Sequence, residues 1–341
     1  MISIAIFNNK GGVGKTSLLC NLAAYLKVRL NKRVLIVDAD PQCNATIYVT
    51  PEEELEEIYN GKKQCGTIFD IVNPLKEGDG FLSKDKLPIC TSKGFECDVI
   101  FGDTRLSLME DFLSGDWVAG KEGQMRGLKT TFLFWNMLQK VKDDYDYVFF
   151  DVGPSLGAIN RSVLLACDYF IMPMSSDIFS LKAVDNISAS LKEWNTNIVA
   201  GIEKYKKDKN ETLFKIEGIE VLSQLKFLGY IYQQYTAKSI DGARRPVKAY
   251  DVIINKMHPL IAEKLHDFYK AGFTKDNLLL GEIPTLSSLI PLSQSAHKPI
   301  FLMVGADGVV GAHFVKVKEY EEVIKHIVYN IKKNLSEYGL A

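Results

Sequence analysis

The sequence predicts an α/β protein with a doubly wound, mainly parallel sheet flanked by helices. Three observations carry this. Short runs of β-branched and aromatic residues, apolar on both faces, recur along the chain, as strands of a buried parallel sheet do. Stretches with helical apolar spacing separate them over the whole length, the alternation that builds α/β folds. The first run passes directly into a glycine-rich loop and then into a helical stretch, the strand–loop–helix unit that opens many such sheets.

Taken in order, "ISIAIF" (2–7) is the first strand and "NNKGGVGKTS" (8–17) the loop. "TSLLCNLAAYLKVRL" (16–30) is a Leu- and Ala-rich helix, and "RVLIVDAD" (33–40) a second strand ending in acids. Residues 51–130 read as a less regular insertion. Within it "PEEELEEIYNGKK" is charged and solvated, and "NPLKEGDGFLSKDK" is a loop by its turn residues. "CDVIF" (97–101) reads as a strand and "RLSLMEDFL" (105–113) as a helix. A helix over about 128–142 precedes the strand "YDYVFFDVGPS" (145–155). "DYFIMPMSS" (168–176), "KFLGYIYQQ" (226–234) and "NLLLGEIP" (277–284) are the remaining strands. In "KEYEEVIKHIVYNIKKNL" (318–335), Val323, Ile324, Ile327, Val328, Ile331 and Leu335 share one helical stripe. No repeat or low-complexity linker interrupts the pattern, so 1–341 reads as a single domain with the insertion at about 51–130.

The apolar share of 47% and charged share of 24% are those of a soluble globular chain. A net charge of −1 gives no overall attraction to nucleic acid and leaves only a local basic patch to do so. The cysteines, Cys20, Cys43, Cys65, Cys90, Cys97 and Cys167, form no C-x-x-C pair and have no His at ligand spacing. This reads as a reducing compartment without structural zinc. No stretch approaches the roughly 18 apolar residues of a membrane span. The start "MISIAIFNN" lacks the positive region of a signal peptide. The expected location is cytoplasmic.

A glycine loop between a strand and a helix offers backbone N–H groups and the positive helix end to an anion. The candidate phosphate ligands are Lys10, Gly11, Gly12, Val13, Gly14, Lys15, Thr16 and Ser17. Lys15 can reach the β- and γ-phosphates, and the Thr16 hydroxyl can reach Mg²⁺. The loop departs from G-x-x-x-x-G-K-[ST]: Asn9 holds the place of the first glycine, and Lys10 stands beside it. One phosphate clamp needs only one lysine.

"KGGVGKT" resembles the deviant Walker A motif of the ParA/MinD family of ATPases, which also includes Soj-type partition proteins and the nitrogenase iron protein. The resemblance implies that Lys15 acts in cis while Lys10 reaches across a two-fold interface to the partner subunit's nucleotide. A complete site would then exist only in an ATP-bound homodimer. A second cation gains most where the interface excludes water. "VDADPQCNAT" (37–46) resembles the family's second acidic motif, with Cys43 in place of a glycine. It implies that Asp40 positions the attacking water and that Asp38 lies near Mg²⁺ through water. "YVFFDVGPSLG" (147–157) resembles the Walker B strand, with Asp151 holding Mg²⁺ through water. A strand-end acid beside a phosphate loop suits charge neutralisation by Mg²⁺. Lys10, Lys15 and Asp40 are therefore the catalytic candidates.

"FIMPMSSDIFSLKAV" (170–184) and "LLGEIPTLSSLIPLSQSAHKPI" (279–300) resemble further family segments; Thr285 and Leu286 replace the usual arginine and asparagine of the second. No guanine-reading N-K-x-D or T-K-x-D is present, since "NKMH" and "TKDN" both miss the final acid. ATP is the expected nucleotide, with Gln233 and Pro284 as candidate base contacts.

Within the family three kinds of work are open. Electron transfer needs paired cysteines after the loop, and Cys90 and Cys97 precede the Walker B strand. A membrane-binding C-terminal helix needs basic flanks, but Glu319, Glu321, Glu322 and Glu337 surround Lys332 and Lys333, so a core helix is expected and membrane is not. Nonspecific DNA binding needs a basic patch, which "TAKSIDGARRPVKAY" (236–250) offers in Lys238, Arg244, Arg245 and Lys248; a solvated loop fits the same residues. No helix-turn-helix segment precedes the phosphate loop. The reading is a slow, partner-stimulated, partition-type ATPase that binds DNA as an ATP-sandwiched dimer with a ParB-like or other activating protein, nucleoid-associated if DNA is bound. The alternatives are a MinD-like positioning ATPase on a membrane or protein surface, or an ATP-dependent ligase-type metabolic enzyme on the same fold.

Overall fold

The computed structural model describes residues 1–62, 65–222, 224–233, 248–286 and 288–340. In chain order the elements are β1 (Ile2–Ile6), α1 (Lys15–Leu30), β2 (Val34–Asp38), α2 (Asn44–Val49), α3 (Glu52–Tyr59), α4 (Ile68–Glu77), β3 (Cys90–Thr91) and β4 (Asp98–Ile100). There follow α5 (Glu110–Lys121), α6 (Met125–Thr131), α7 (Leu133–Val141), β5 (Tyr147–Asp151), α8 (Ala158–Ala166), β6 (Tyr169–Ser175) and α9 (Ile178–Lys209). A small hairpin, β7 (Lys215–Ile216) and β8 (Ile219–Glu220), precedes β9 (Lys226–Gln233). The chain closes with α10 (Lys248–Lys264), α11 (Lys275–Leu278), β10 (Leu279–Ile283), α12 (Leu289–Ala296) and α13 (His313–Glu337).

The main sheet has eight strands in the order β10-β9-β6-β1-β5-β2-β4-β3. All neighbours are parallel except β3, which runs antiparallel to β4 at one edge. Strand residues alternate between two cores. Ile4, Ile6, Ile36 and Phe149 face α1 and the apolar stripe of α13, while Ala5, Leu35, Val37 and Phe150 face α7, α8 and α9. Each fully buried Ile or Leu on such a face contributes roughly 1.5–3 kcal/mol. The expected stripe of α13 is buried at Ile324, Ile327, Val328, Ile331 and Leu335. Gly281 lets that helix approach: a Cβ there would lie 2.6 Å from Ile327 Cγ1.

Register decides what the sheet presents at its carboxyl edge. Ile6 lies opposite Asp151, and Asp151 opposite Asp38. The end of β1 therefore enters the glycine loop with two strand-end acids beside it. Ligands of open α/β sheets bind at this edge.

Several elements differ from the sequence expectation. Helix α4 runs through Asn73 and Pro74 into a segment expected to be a loop. A reciprocal cap starts it, with the Asp70 carboxylate accepting from Thr67 N at 2.8 Å, and Ile71 and Val72 are buried. Packing thus carries the helix past a residue that removes one of its hydrogen bonds. The helix expected at 128–142 is two, α6 and α7, meeting at Phe132. A 3₁₀ turn over Thr104–Met109 precedes α5. Cys20, Cys43, Cys97 and Cys167 are buried thiols, but Cys65 and Cys90 form a disulfide with Cα atoms 6.2 Å apart, a pairing that spacing in the sequence did not signal. Among the described residues no helix is long and apolar enough to cross a membrane.

Candidate nucleotide-binding site

The loop after β1 is shaped for an anion. Gly12 and Gly14 have φ of 72° and 69°, the left-handed region that glycine enters without a Cβ penalty. Gly14 caps α1 with no side-chain hydrogen bond, and no acid lies in the first turn. The first amides of α1 are thus left for a ligand. Asn8 fixes the base of the loop: its Nδ2 donates to Pro173 O at 2.8 Å, and its Oδ1 accepts from Lys10 N at 3.0 Å. Sequence reasoning passed over Asn8, since an asparagine before a glycine loop reads as ordinary turn chemistry.

Lys15 is 8% exposed and folds back over the loop, its Nζ donating to Lys10 O at 3.4 Å. Burial lowers its pKa, while Asp151 and Asp40 pull it back up. The ammonium therefore sits in a dry place facing two carboxylates. Thr16 Oγ1 donates to Asp151 Oδ2 at 2.7 Å. Asp151 is fully buried, and its other oxygen, Oδ1, has no partner. Burial, then Asp38, push its pKa well above the usual carboxylate range. A buried acceptor with an unused oxygen beside a hydroxyl is a hard oxygen donor set, and it fits Mg²⁺.

Asp38 closes β2 and Asp40 stands in the turn after it. Asp38 stands beside Asp151 in register, yet its oxygens are engaged by its own loop. Oδ2 accepts from Thr46 N and Thr46 Oγ1 at 2.8 and 2.7 Å, and Oδ1 accepts from Asp40 N at 3.2 Å. Burial raises its pKa to about 6 against these hydrogen bonds. Asp38 thus holds the turn that presents Asp40. The Asp40 carboxylate accepts from Gln42 N at 3.0 Å. The loop after β5 runs against it, because a Cβ on Gly153 would lie 3.2 Å from Asp40 Oδ1. Cys43 occupies the left-handed backbone position (φ 56°) that caps α2, where a glycine would avoid a penalty of about 1–2 kcal/mol. Burial raises its thiol to about 12, so it stays protonated.

Lys10 is engaged by a different partner from Lys15. Its Nζ pairs with Asp177, the residue that caps α9, at the rim of the site. Asp177 lies in a segment singled out by the sequence but was given no role there. Gln233 ends β9 opposite Ile283 in register, so Gln233 and Pro284 come together at the carboxyl edge. The Gln233 amide packs against Gly14, where a Cβ would displace it. Lys238, Arg244 and Arg245 lie outside the described residues; Lys248 is the first residue of α10.

A family model described as an AAA domain matches residues 1–204. The chromosome-partitioning ATPase Soj of Thermus thermophilus is 31% identical over 193 residues, covering 56% of this chain and 61% of that protein. The crystal structure of protein DIP2308 from Corynebacterium diphtheriae superposes with a TM-score of 0.70 at 30% identity, covering 87% of this chain and 97% of that one. A putative plasmid partition protein of Borrelia burgdorferi bound to AMPPNP has the same fold, with a TM-score of 0.60 at 18% identity over 97% and 98% of the two chains. The matched segment 1–204 contains both lysines of the loop and the aspartates at its edge, and the chain belongs to the ParA/MinD/Soj family of P-loop ATPases.

Proposed function

We propose that this chain is an ATP-dependent positioning ATPase that closes on ATP and Mg²⁺ as a two-fold dimer and uses that state to hold DNA or other cargo. The observation that carries the reading is the division between the two lysines. Lys15 is buried over its own loop, facing Asp151 and Asp40, whereas Lys10 sits at the rim with 26% of its side chain exposed. A buried lysine serves the phosphates of its own site. A rim lysine that exchanges its ion pair with Asp177 can serve a second site facing it, where exclusion of water strengthens its pull on the γ-phosphate.

In this reading the loop amides, Lys15 and Ser17 bind the phosphates. Thr16 and Asp151 hold Mg²⁺, which when bound neutralises phosphate charge. Asp40 holds the attacking water in line, and Asp38 keeps Asp40 in place. Gln233 and Pro284 border the base. ATP rather than GTP is favoured by the missing guanine motif, and the Borrelia relative in fold binds an ATP analogue. DNA is proposed as the surface held, through Lys238, Arg244, Arg245 and Lys248, with a ParB-like or other protein stimulating slow turnover. The stripe of α13 is buried on the sheet rather than free for lipid, which favours DNA over a membrane surface.

Asp40→Ala tests this. It spares the loop and the metal ligands, so it binds ATP but does not hydrolyse it, and it accumulates as a dimer. Size-exclusion chromatography with light scattering should show a lasting dimer of the variant in ATP and Mg²⁺, and a wild type that returns to monomer as ATP is consumed. A variant that binds ATP and stays monomeric overturns the dimer cycle.

A further inference from the structure

The loop between β5 and α8, residues 152–157, lies against Asp40, yet no group so far described fixes its far end. The insertion supplies one. Glu110, the first residue of α5, directs its carboxylate at the start of α8. It accepts from Ala158 N and, at 3.2 Å, from Ile159 N. These are first-turn amides of a helix with no side-chain cap of its own, and an anionic acceptor there satisfies two otherwise unpaired donors and complements the helix dipole. Gly157 completes the fit. A Cβ on it would overlap the Glu110 carboxyl group, whose Oε1, Cδ and Oε2 are the atoms nearest to that position, with Cδ 3.1 Å away.

A second contact on the same face of α5 keeps the two helices together. Glu110, Leu113 and Trp117 follow a helical stripe, and Arg161 of α8 lies with its guanidinium 4.3 Å from the Trp117 ring centroid. Glu110 is also among the carboxylates that favour the charge of Arg161 against its burial. From inside α8, Asn160 Nδ2 donates to Gly153 O and Ser155 O at 2.7 and 2.8 Å. The start of α8 thus carries the loop, and Glu110 carries the start of α8.

We infer that Glu110 is a positioning residue for ATP hydrolysis: through the α8 N-terminus it sets where the 152–157 loop stands against Asp40, so that α5 of the insertion governs the geometry of the catalytic carboxylate. This rests on the ATPase reading above and gives the insertion a role in turnover. Binding of nucleotide runs through the glycine loop and Lys15, which Glu110 does not touch. Misplacing a catalytic group by about 1 Å costs up to roughly a hundredfold in rate, so the effect falls on kcat rather than on KM.

The experiment is a double-mutant cycle on Glu110→Ala and Gly157→Ala, read by ATP turnover and by amide hydrogen exchange of the nucleotide-free protein, with Glu110→Gln as the conservative variant. Glu110→Ala should lower kcat at least about tenfold with KM for ATP within about twofold of wild type, and Glu110→Gln should restore part of it. Gly157→Ala should copy the defect, because Gly157 has extended backbone and the atoms nearest its added methyl all belong to the Glu110 carboxyl group. In the Glu110→Ala background the same methyl should be silent, the non-additivity of groups in direct contact. Exchange at 153–159 should rise in Glu110→Ala while β1 and β2 keep their protection. If kcat is unchanged, or if Gly157→Ala costs as much without Glu110 as with it, the positioning role fails. If wild type itself does not turn over ATP, the ATPase reading fails instead, and faster exchange confined to 158 and 159, with 153–156 unaltered, then also removes Glu110 from control of the loop.

Discussion

Lys15 and Asp151 are both buried beside the glycine loop, and what each contributes depends on that burial as well as on residue type. The buried acids carry a penalty at neutral pH that a cation relieves. Asp38 titrates at about 6 and Asp151 well above the ordinary carboxylate range, both chiefly because of burial. Their folded pKa values lie above the unfolded value of 3.8. The folded state therefore binds more protons above pH 3.8, and stability falls as pH rises, through about 6 for Asp38 and further up for Asp151. Asp151→Asn removes one buried charge while keeping an acceptor for Thr16. In nucleotide-free protein it should be more stable than wild type at pH 7.5, with an advantage that shrinks as pH falls toward the unfolded value of 3.8, as measured by urea denaturation. A variant less stable than wild type at pH 7.5 would show that the charge is not the cost. The sequence places these acids next to the loop, but which of them is spent on a turn and which is left open was not legible. Asp38 and Asp151 are both strand-end aspartates, and their partners separate them: Thr46 and Asp40 N engage Asp38, whereas Asp151 has Thr16 alone and one oxygen unused.

At the scale of elements, the strands and the glycine loop agree closely with the apolar runs, because burial on both faces leaves a pattern that needs no partner to be read. Helix ends followed less well. Helix α9 starts at a cap that is also half of an ion pair: Asp177 Oδ1 accepts from Phe179 N and Ser180 N at 2.9 and 3.1 Å, and Oδ2 pairs with Lys10. Two substitutions separate these duties. Asp177→Ala loses both and should destabilise the protein by about 0.5–2 kcal/mol. Asp177→Asn keeps the cap and should lie within about 0.5 kcal/mol of wild type, since a partly exposed ion pair adds little. Equal losses in the two, measured by thermal or urea unfolding, would show that the ion pair and not the cap supports α9.

For the whole molecule, the strand order brings residues from distant parts of the chain to one edge: the loop from β1, Asp38 from β2, Asp151 from β5, Asp177 beyond β6 and Gln233 from β9. Half of the proposed site is still missing from one copy, and mixing supplies the test. In a dimer of Lys10→Ala with Asp40→Ala, one site has its own Asp40 and the other subunit's Lys10. ATPase activity should reappear in the mixture when each variant alone is inactive. Hydrolysis at the wild-type rate by Lys10→Ala alone would end the trans role. The proposed DNA surface is tested at the same scale. Arg244→Glu with Arg245→Glu should weaken plasmid DNA binding and flatten its steep salt dependence, because released counterions drive phosphate contacts, while leaving the dimer intact by light scattering. Unchanged plasmid binding would move the surface elsewhere.

The sequence by itself determined the sheet, the phosphate loop with its two lysines, and the acids at the strand ends. Each of these is written in local spacing: alternating strands and helices, glycines where φ turns positive, lysines flanking them. Only the tertiary structure decided the partners. It set Asp38 to hold the Asp40 turn, left one oxygen of Asp151 unused, placed Lys10 on Asp177, joined Cys65 to Cys90, and brought Glu110 from the insertion to the start of α8. These contacts join residues from separate elements. No local pattern encodes them, because they depend on strand order and register, which are fixed only when the whole core packs.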